Sequence, residues 1–322
     1  MICLGNRNTS RRRQTMTNVT STTRRDVLAM LSAIGVAGLG PARSLAQEQM
    51  PVRAIPSSGE MLPVVGLGSS KVVSQISSDG TEALAAVLRA LVANGGSVVD
   101  TWPRNPENDA GFGRVASEPD LRDSLFVTSK IRRTGKQAGI EQFRDTQRLY
   151  NRETIDLVQI MSLRDLDVHW PSLQDWKAEG SARYIGVTVS QYGLYEQLED
   201  FLQRETPDFV QMNYSITERR AEERLLPMAA DQGFAVLINR PFMNGAYFER
   251  LEGQPVPEWA AEFDCMSWAQ FSLKYILAHP AITCVLTETS NPRHMEENAQ
   301  TAFGRLPDAS ARAQMRDFID QI

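Results

Sequence analysis

Between residues 64 and 288 short β-branched or apolar runs recur, separated by stretches with helical spacing, and this alternation constrains the fold more than any other feature of the chain. The runs predict strands at 64–69, 97–101, 125–129, 156–161, 184–189, 209–214, 234–240 and 282–287. Helices are expected near 112, 145, 175, 198, 225, 273 and 297. One more is expected over 81–94, where Leu84, Val87, Leu88, Leu91 and Val92 share a face and Gly95-Gly96 supplies the stop. Nearly continuous apolar strands of this kind belong to a parallel sheet covered on both faces. Eight strand–helix units predict an α/β fold closed as a (β/α)8 TIM barrel, with a doubly wound open sheet as the alternative.

Two flanking pieces complete that plan. Residues 53–63 read as a small N-terminal β-hairpin about a Ser58-Gly59 turn, and residues 308–322 as an extra C-terminal helix outside the barrel. No low-complexity linker interrupts residues 47–322, so one domain is expected there, close to the roughly 250 residues typical of such a barrel. The net charge of −5 offers no basic face for nucleic acid. The three histidines are unclustered and no Cys-x-x-Cys occurs, so a metal site is not expected.

Residues 1–46 read differently. Thr23-Arg24-Arg25-Asp26-Val27-Leu28 leads into an apolar run ending at Leu39, and Ser44-Leu45-Ala46 offers small residues for cleavage. The segment resembles a twin-arginine signal peptide, which implies recognition by the twin-arginine export machinery and a periplasmic location. An ordinary secretory signal or an N-terminal anchor is the competing reading. The apolar run falls short of the roughly 20 residues that span a bilayer, so no membrane span is expected after cleavage. Of the three cysteines only Cys265 and Cys284 would remain, and two separate buried thiols are expected over a disulfide.

The ends of the strands carry the chemistry. Asp100 closes Ser97-Val98-Val99-Asp100, Lys130 closes Phe126-Val127-Thr128-Ser129-Lys130, and Met161 ends the run from Asp156. An Asp and a Lys at neighbouring strand tips are placed to form an ion pair at a barrel mouth, where such a pair tunes the proton affinity of a third group.

These segments resemble the aldo/keto reductase family. The resemblance is carried by Leu62-Pro63-Val64-Val65-Gly66-Leu67-Gly68-Ser69, Val98-Val99-Asp100-Thr101, Val127-Thr128-Ser129-Lys130, Tyr184-Ile185-Gly186-Val187-Thr188, Val210-Gln211-Met212-Asn213-Tyr214, Asn239-Arg240-Pro241 and Ser290-Asn291-Pro292-Arg293-His294-Met295-Glu296-Glu297-Asn298, in order and over nearly all of residues 47–322. It implies transfer of a hydride between a nicotinamide dinucleotide, NAD(P)H, and a small-molecule aldehyde or ketone. In that family a Tyr hydroxyl moves the proton, aided by a Lys–Asp pair and a His. Asp100 and Lys130 match the pair. Asn105 stands at the Tyr position and Met161 at the His position, so the catalytic tetrad is incomplete. Tyr214, Tyr247 and His169 are the candidate stand-ins.

On the cofactor side the resemblance assigns Thr188 and Gln211 to the nicotinamide carboxamide, Arg240 to the pyrophosphate, and Thr289, Glu297 and Asn298 to the adenine end. Val189 and His294 depart from the family pattern. Glu288 lies in the segment that would cradle the adenosine phosphate. A carboxylate there repels a 2′-phosphate of roughly −1.5 to −2 charges and can accept from a free ribose diol, so NAD is expected over NADP. Two functions follow: an exported carbonyl reductase with a weakened or altered proton relay, or a catalytically degenerate barrel, a pseudoenzyme that binds a ligand or partner without turnover.

Overall fold

The computed structural model describes residues 49–322; residues 1–46, which resemble a twin-arginine signal peptide, lie outside the described residues. Eight parallel strands, β3 (Val65–Gly68), β4 (Val98–Asp100), β5 (Phe126–Ile131), β6 (Ile155–Met161), β7 (Ala182–Thr188), β8 (Phe209–Asn213), β9 (Ala235–Asn239) and β10 (Cys284–Glu288), pair in chain order. The last closes on the first through Val285↔Val65 to Glu288↔Gly68, which makes a TIM barrel and excludes the open sheet. Every residue of β4, β5 and β8 is buried. That is why these strands read as largely apolar runs that turn polar toward their tips: helices cover the outer face while the inner face fills the barrel.

The expected helices form over Glu82–Ala93, Pro106–Ala116, Lys136–Tyr150, Leu166–Glu179, Tyr195–Leu202, Leu225–Gln232, Trp268–Leu277 and Pro292–Gln300, with the extra helix at Ala309–Asp320. Several short pieces escaped the periodicity because they are too brief to repeat a face. Helices Ser70–Ser74 and Ile76–Asp79 follow β3, and Ala246–Arg250 with the 3-10 turn Glu258–Phe263 follows β9.

Ahead of the barrel, β1 (Val52–Ala54) and β2 (Met61–Pro63) form the expected antiparallel hairpin. Its turn is closed by Ile55 N donating to Glu60 O at 2.8 Å, with Gly59 at φ +77°. Ile55 and Leu62 pack with Val98, Phe126, Leu157, Tyr184, Phe209, Leu237 and Leu286 in a cluster formed largely from the starts of the strands. The rings of Tyr184 and Phe209 meet edge to face at 5.5 Å there. The hairpin therefore stoppers the N-terminal end of the barrel, and the site lies at the opposite end.

Gly66 is required for close strand packing. A Cβ on it would stand 2.8 Å from Val98 Cβ and 2.9 Å from Val98 O. Gly68, two residues on at the mouth, has nothing closer than 3.7 Å to such an atom.

Candidate active site

The C-terminal tips of the strands surround a cleft of about 630 Å³. Its wall brings together Asp100, Lys130, Met161, Thr188, Gln211, Arg240 and Glu288, seven of the residues singled out in the sequence. Trp102, Phe242 and Phe248 give the mouth aromatic walls, the usual composition of a concave small-molecule site.

Its floor is a buried polar network. Lys130 Nζ donates to Asp100 Oδ1 at 2.6 Å and to Thr101 O at 3.2 Å. Thr128 Oγ1 donates to the same Asp100 oxygen at 2.6 Å, and Gln211 Nε2 donates to Asp100 Oδ2 at 3.1 Å. Asp100 is 6% exposed and Lys130 3%. A buried charge pair persists only when its remaining lone pairs are satisfied, and three donors on one carboxylate meet that condition. Burial lowers the Lys130 pKa, Asp100 pulls it the other way, and the nearby Arg104 guanidinium lowers it further.

Asn105 is placed otherwise. It is exposed, is not part of the cleft wall, and caps the helix Pro106–Ala116 by accepting from Asn108 N at 2.9 Å. Met161 is half-buried in the wall, opposite Thr188 in the sheet, and its thioether carries no N–H.

The proposed stand-ins lie elsewhere too. His169 is buried on the helix Leu166–Glu179, not in a surface loop, with Nε2 on Arg133 O at 2.8 Å and its ring against Gly139. Tyr214 hydrogen-bonds Glu222, and Arg312 donates to its hydroxyl at 2.7 Å; burial pushes its pKa far up. Tyr247 is buried against Phe242 and Phe248 behind the wall, and burial raises its pKa as well.

Among the residues that the resemblance assigns to a cofactor, Glu288 is exposed at the mouth. Its carboxylate lines the cleft and accepts from Lys71 N at 2.7 Å, bridging the end of β10 to the start of the helix Ser70–Ser74. Gln211 Oε1 is buried without a partner among the described residues. Arg240 is exposed at the mouth with φ +52°. Thr289 engages Asn291, which caps the helix Pro292–Gln300 carrying Glu297 and the buried Asn298; these three residues are not in the cleft wall. Val189 is buried and His294 exposed. Cys265 and Cys284 are separate buried thiols, as expected, and burial raises the Cys265 pKa to about 12.

Arg104 escaped the sequence reading. It donates to Ser74 Oγ at 2.7 Å, to Thr101 Oγ1 and Trp102 O at 2.8 Å, and to Ser69 O at 3.3 Å, and stacks 4.0 Å over the Trp102 ring. Its own N–H is held by both oxygens of Asp109, at 3.1 and 3.0 Å. Nothing in a lone loop arginine signals this role. Thr128 was findable, because two residues before Lys130 on a strand puts it on the same face.

Comparison with known proteins agrees with this geometry. The chain is 25% identical over 280 residues to L-galactose dehydrogenase of Arabidopsis thaliana, covering 77% of this chain and 86% of that protein. It is 24% identical over 165 residues to the NADH-specific methylglyoxal reductase of Escherichia coli, covering 43% of this chain and 49% of that one. Among solved structures, an aldo-keto reductase from Klebsiella pneumoniae in complex with NADPH superposes with a TM-score of 0.71 at 20% identity, over 84% of this chain and 95% of the other. The model of the aldo/keto reductase family matches residues 64–315, most of the chain, and the protein belongs to that family.

Proposed function

We propose that the chain is an exported oxidoreductase that moves a hydride between a nicotinamide dinucleotide and a small aldehyde or ketone, with an altered proton relay. The observation that carries this reading is the buried Asp100–Lys130 pair at the inner end of a cleft large enough for a small ligand. The wall fits the inner part of such a cofactor. The orphaned Gln211 Oε1 is an acceptor for a carboxamide N–H, Thr188 lies on the adjoining strand β7, and Gly68 leaves room at the rim. When bound, the dinucleotide supplies hydride. The chain's own residues hold the carbonyl compound against the aromatic wall, screen it from water and keep a charged ammonium at the floor.

NAD is favoured over NADP by Glu288, a carboxylate fixed in the cleft wall where a 2′-phosphate would need a cation. One relative is named as NADH-specific, while the Klebsiella structure holds NADPH, so the preference rests on Glu288. The relatives' names point to small oxygenated molecules as the substrate class. Export rests on the Arg24-Arg25 leader, and a folded-state route would carry the dinucleotide across with the protein.

A ligand-binding barrel without turnover is the competing reading, favoured by Asn105 serving as a helix cap. Fluorescence titration of residues 47–322 with NADH and NADPH, followed by single-turnover reduction of aldehydes, separates the two. Binding of NADH with reduction supports the oxidoreductase; failure of both dinucleotides to bind leaves the ligand-binding barrel.

A further inference from the structure

We infer that Lys130 is itself the proton donor of this cleft, delivering an Nζ proton straight to the carbonyl oxygen instead of serving only to tune another group. The inference rests on the oxidoreductase reading above.

The titratable side chains in the cleft wall are Lys71, Asp100, Lys130, Arg240 and Glu288. Arginine does not release a proton in proteins. Asp100 accepts three hydrogen bonds and is committed as an acceptor. Glu288 is tied to Lys71 N at the outer end of β10, and Lys71 is exposed there. Tyr150, the remaining phenol near the floor, is fully buried at the end of the helix Lys136–Tyr150, outside the cleft wall, and burial raises its pKa well above that of a free phenol.

Lys130 alone combines position with chemistry. An ammonium has three donors, and Nζ spends two, on Asp100 Oδ1 and Thr101 O. The third remains for an oxygen in the cleft. Its enclosure favours release, with Met161 adding an apolar wall, while the Trp102 ring 5.7 Å from Nζ makes a cation–π contact that holds the charged form in place. The charged groups facing it are Asp100 from β4 and Arg104 from the loop after β4, while β6 and β8 bring the uncharged Met161 and Gln211. Burial lowers its proton affinity against the pull of Asp100.

The step balances. As hydride from the nicotinamide dinucleotide reaches the carbonyl carbon, the C=O π pair moves to oxygen, one Nζ–H bond breaks and an O–H bond forms. The neutral amine then takes a proton from water in the cleft, and the hydroxide left behind passes to bulk solvent, where buffer neutralises it.

The test has two arms. In the first, Nζ-detected NMR of the full chain without dinucleotide follows each lysine with pH, Lys130 being assigned by loss of its signal in Lys130→Arg. Lys130 is expected to titrate below the ordinary range of a free lysine ammonium. Titration within that ordinary range overturns the inference, whatever the dinucleotide result. In the second arm, single-turnover reduction falls on a basic limb at the pH found by NMR. Lys130→Met and Lys130→Arg each slow it about 10²- to 10⁴-fold while NADH titration is retained. Arginine keeps the charge and cannot give up the proton, so rescue by Lys130→Arg overturns the inference. A wild-type chain that titrates as expected by NMR yet binds neither dinucleotide overturns the oxidoreductase reading, and this inference with it.

Discussion

The side-chain oxygen of Asn105 accepts from the backbone N–H of Asn108 at 2.9 Å, so the position where the family resemblance puts a catalytic phenol is occupied by a helix cap. Replacing a capping Asn by Ala costs about 1 kcal/mol. Asn105→Ala should therefore lower the unfolding free energy by that amount and the denaturation midpoint with it, and Asn105→Asp, which keeps the acceptor, should hold both. Chemical denaturation of the three proteins checks this; equal midpoints would mean the cap contributes nothing.

Asn105→Tyr combined with Met161→His supplies the two groups the relay lacks. Because Lys130 already donates a proton in wild type, a second positioned acid should add less than the roughly 10²- to 10⁴-fold that a first one contributes, and single-turnover reduction of aldehydes reads the gain. A variant that binds NADH with no gain in rate would show that the 102–105 loop, pinned by Arg104 and Asp109, holds the new phenol away from Lys130.

Glu288→Lys should reverse nucleotide preference. Exchanging a repelling carboxylate for an ammonium is expected to favour NADPH over NADH by about tenfold or more relative to wild type, or about 1.4 kcal/mol. Parallel fluorescence titrations read the ratio. An unchanged ratio would mean Glu288 serves only to anchor Lys71 N.

Asp109 gives a pH dependence of stability. Burial raises its pKa to about 6 from an ordinary 3.8, opposed by the Arg104 N–H and by the charges of Arg104 and Arg132. A carboxyl raised in the folded state binds more protons folded than unfolded between those values. Its contribution to stability is therefore complete below about pH 4 and is lost as pH rises through about 6. Asp109→Asn should remove that part of the slope and be relatively more stable at pH 7 than at pH 4. Melting curves across this window decide it.

Gly66→Ala should cost about 1 to 3 kcal/mol, because its Cβ would meet Val98 at 2.8 Å, whereas Gly68→Ala should be near neutral for stability, with 3.7 Å to the nearest atom. Two equal melting temperatures would contradict the tight β3–β4 seam.

The barrel was legible because its strands are buried on both faces and its long helices complete several turns; both leave periodic marks in the sequence. Asp100 and Lys130 were legible as strand tips and Gln211 through the family resemblance, and the structure joins all three in one network. Asn105 was legible as a departure from the family pattern, but its capping role lay in a local Asn-Pro-x-Asn arrangement that reading for catalysis passes over. His169 looked like a loop residue because Pro171 falls inside its helix and masks the helical pattern. Arg104 could not be found, since its partners are mostly backbone carbonyls and hydroxyls spread over 69–102, and sequence carries no mark of which carbonyls converge.

The hairpin under the barrel makes the cleft a cul-de-sac. With Ile55 and Leu62 wedged among the strand starts, nothing placed against Asp100 and Lys130 has a rear exit. A ligand resting on that floor therefore has packed side chains behind it and the mouth in front of it, so among the described residues its way in is also its way out.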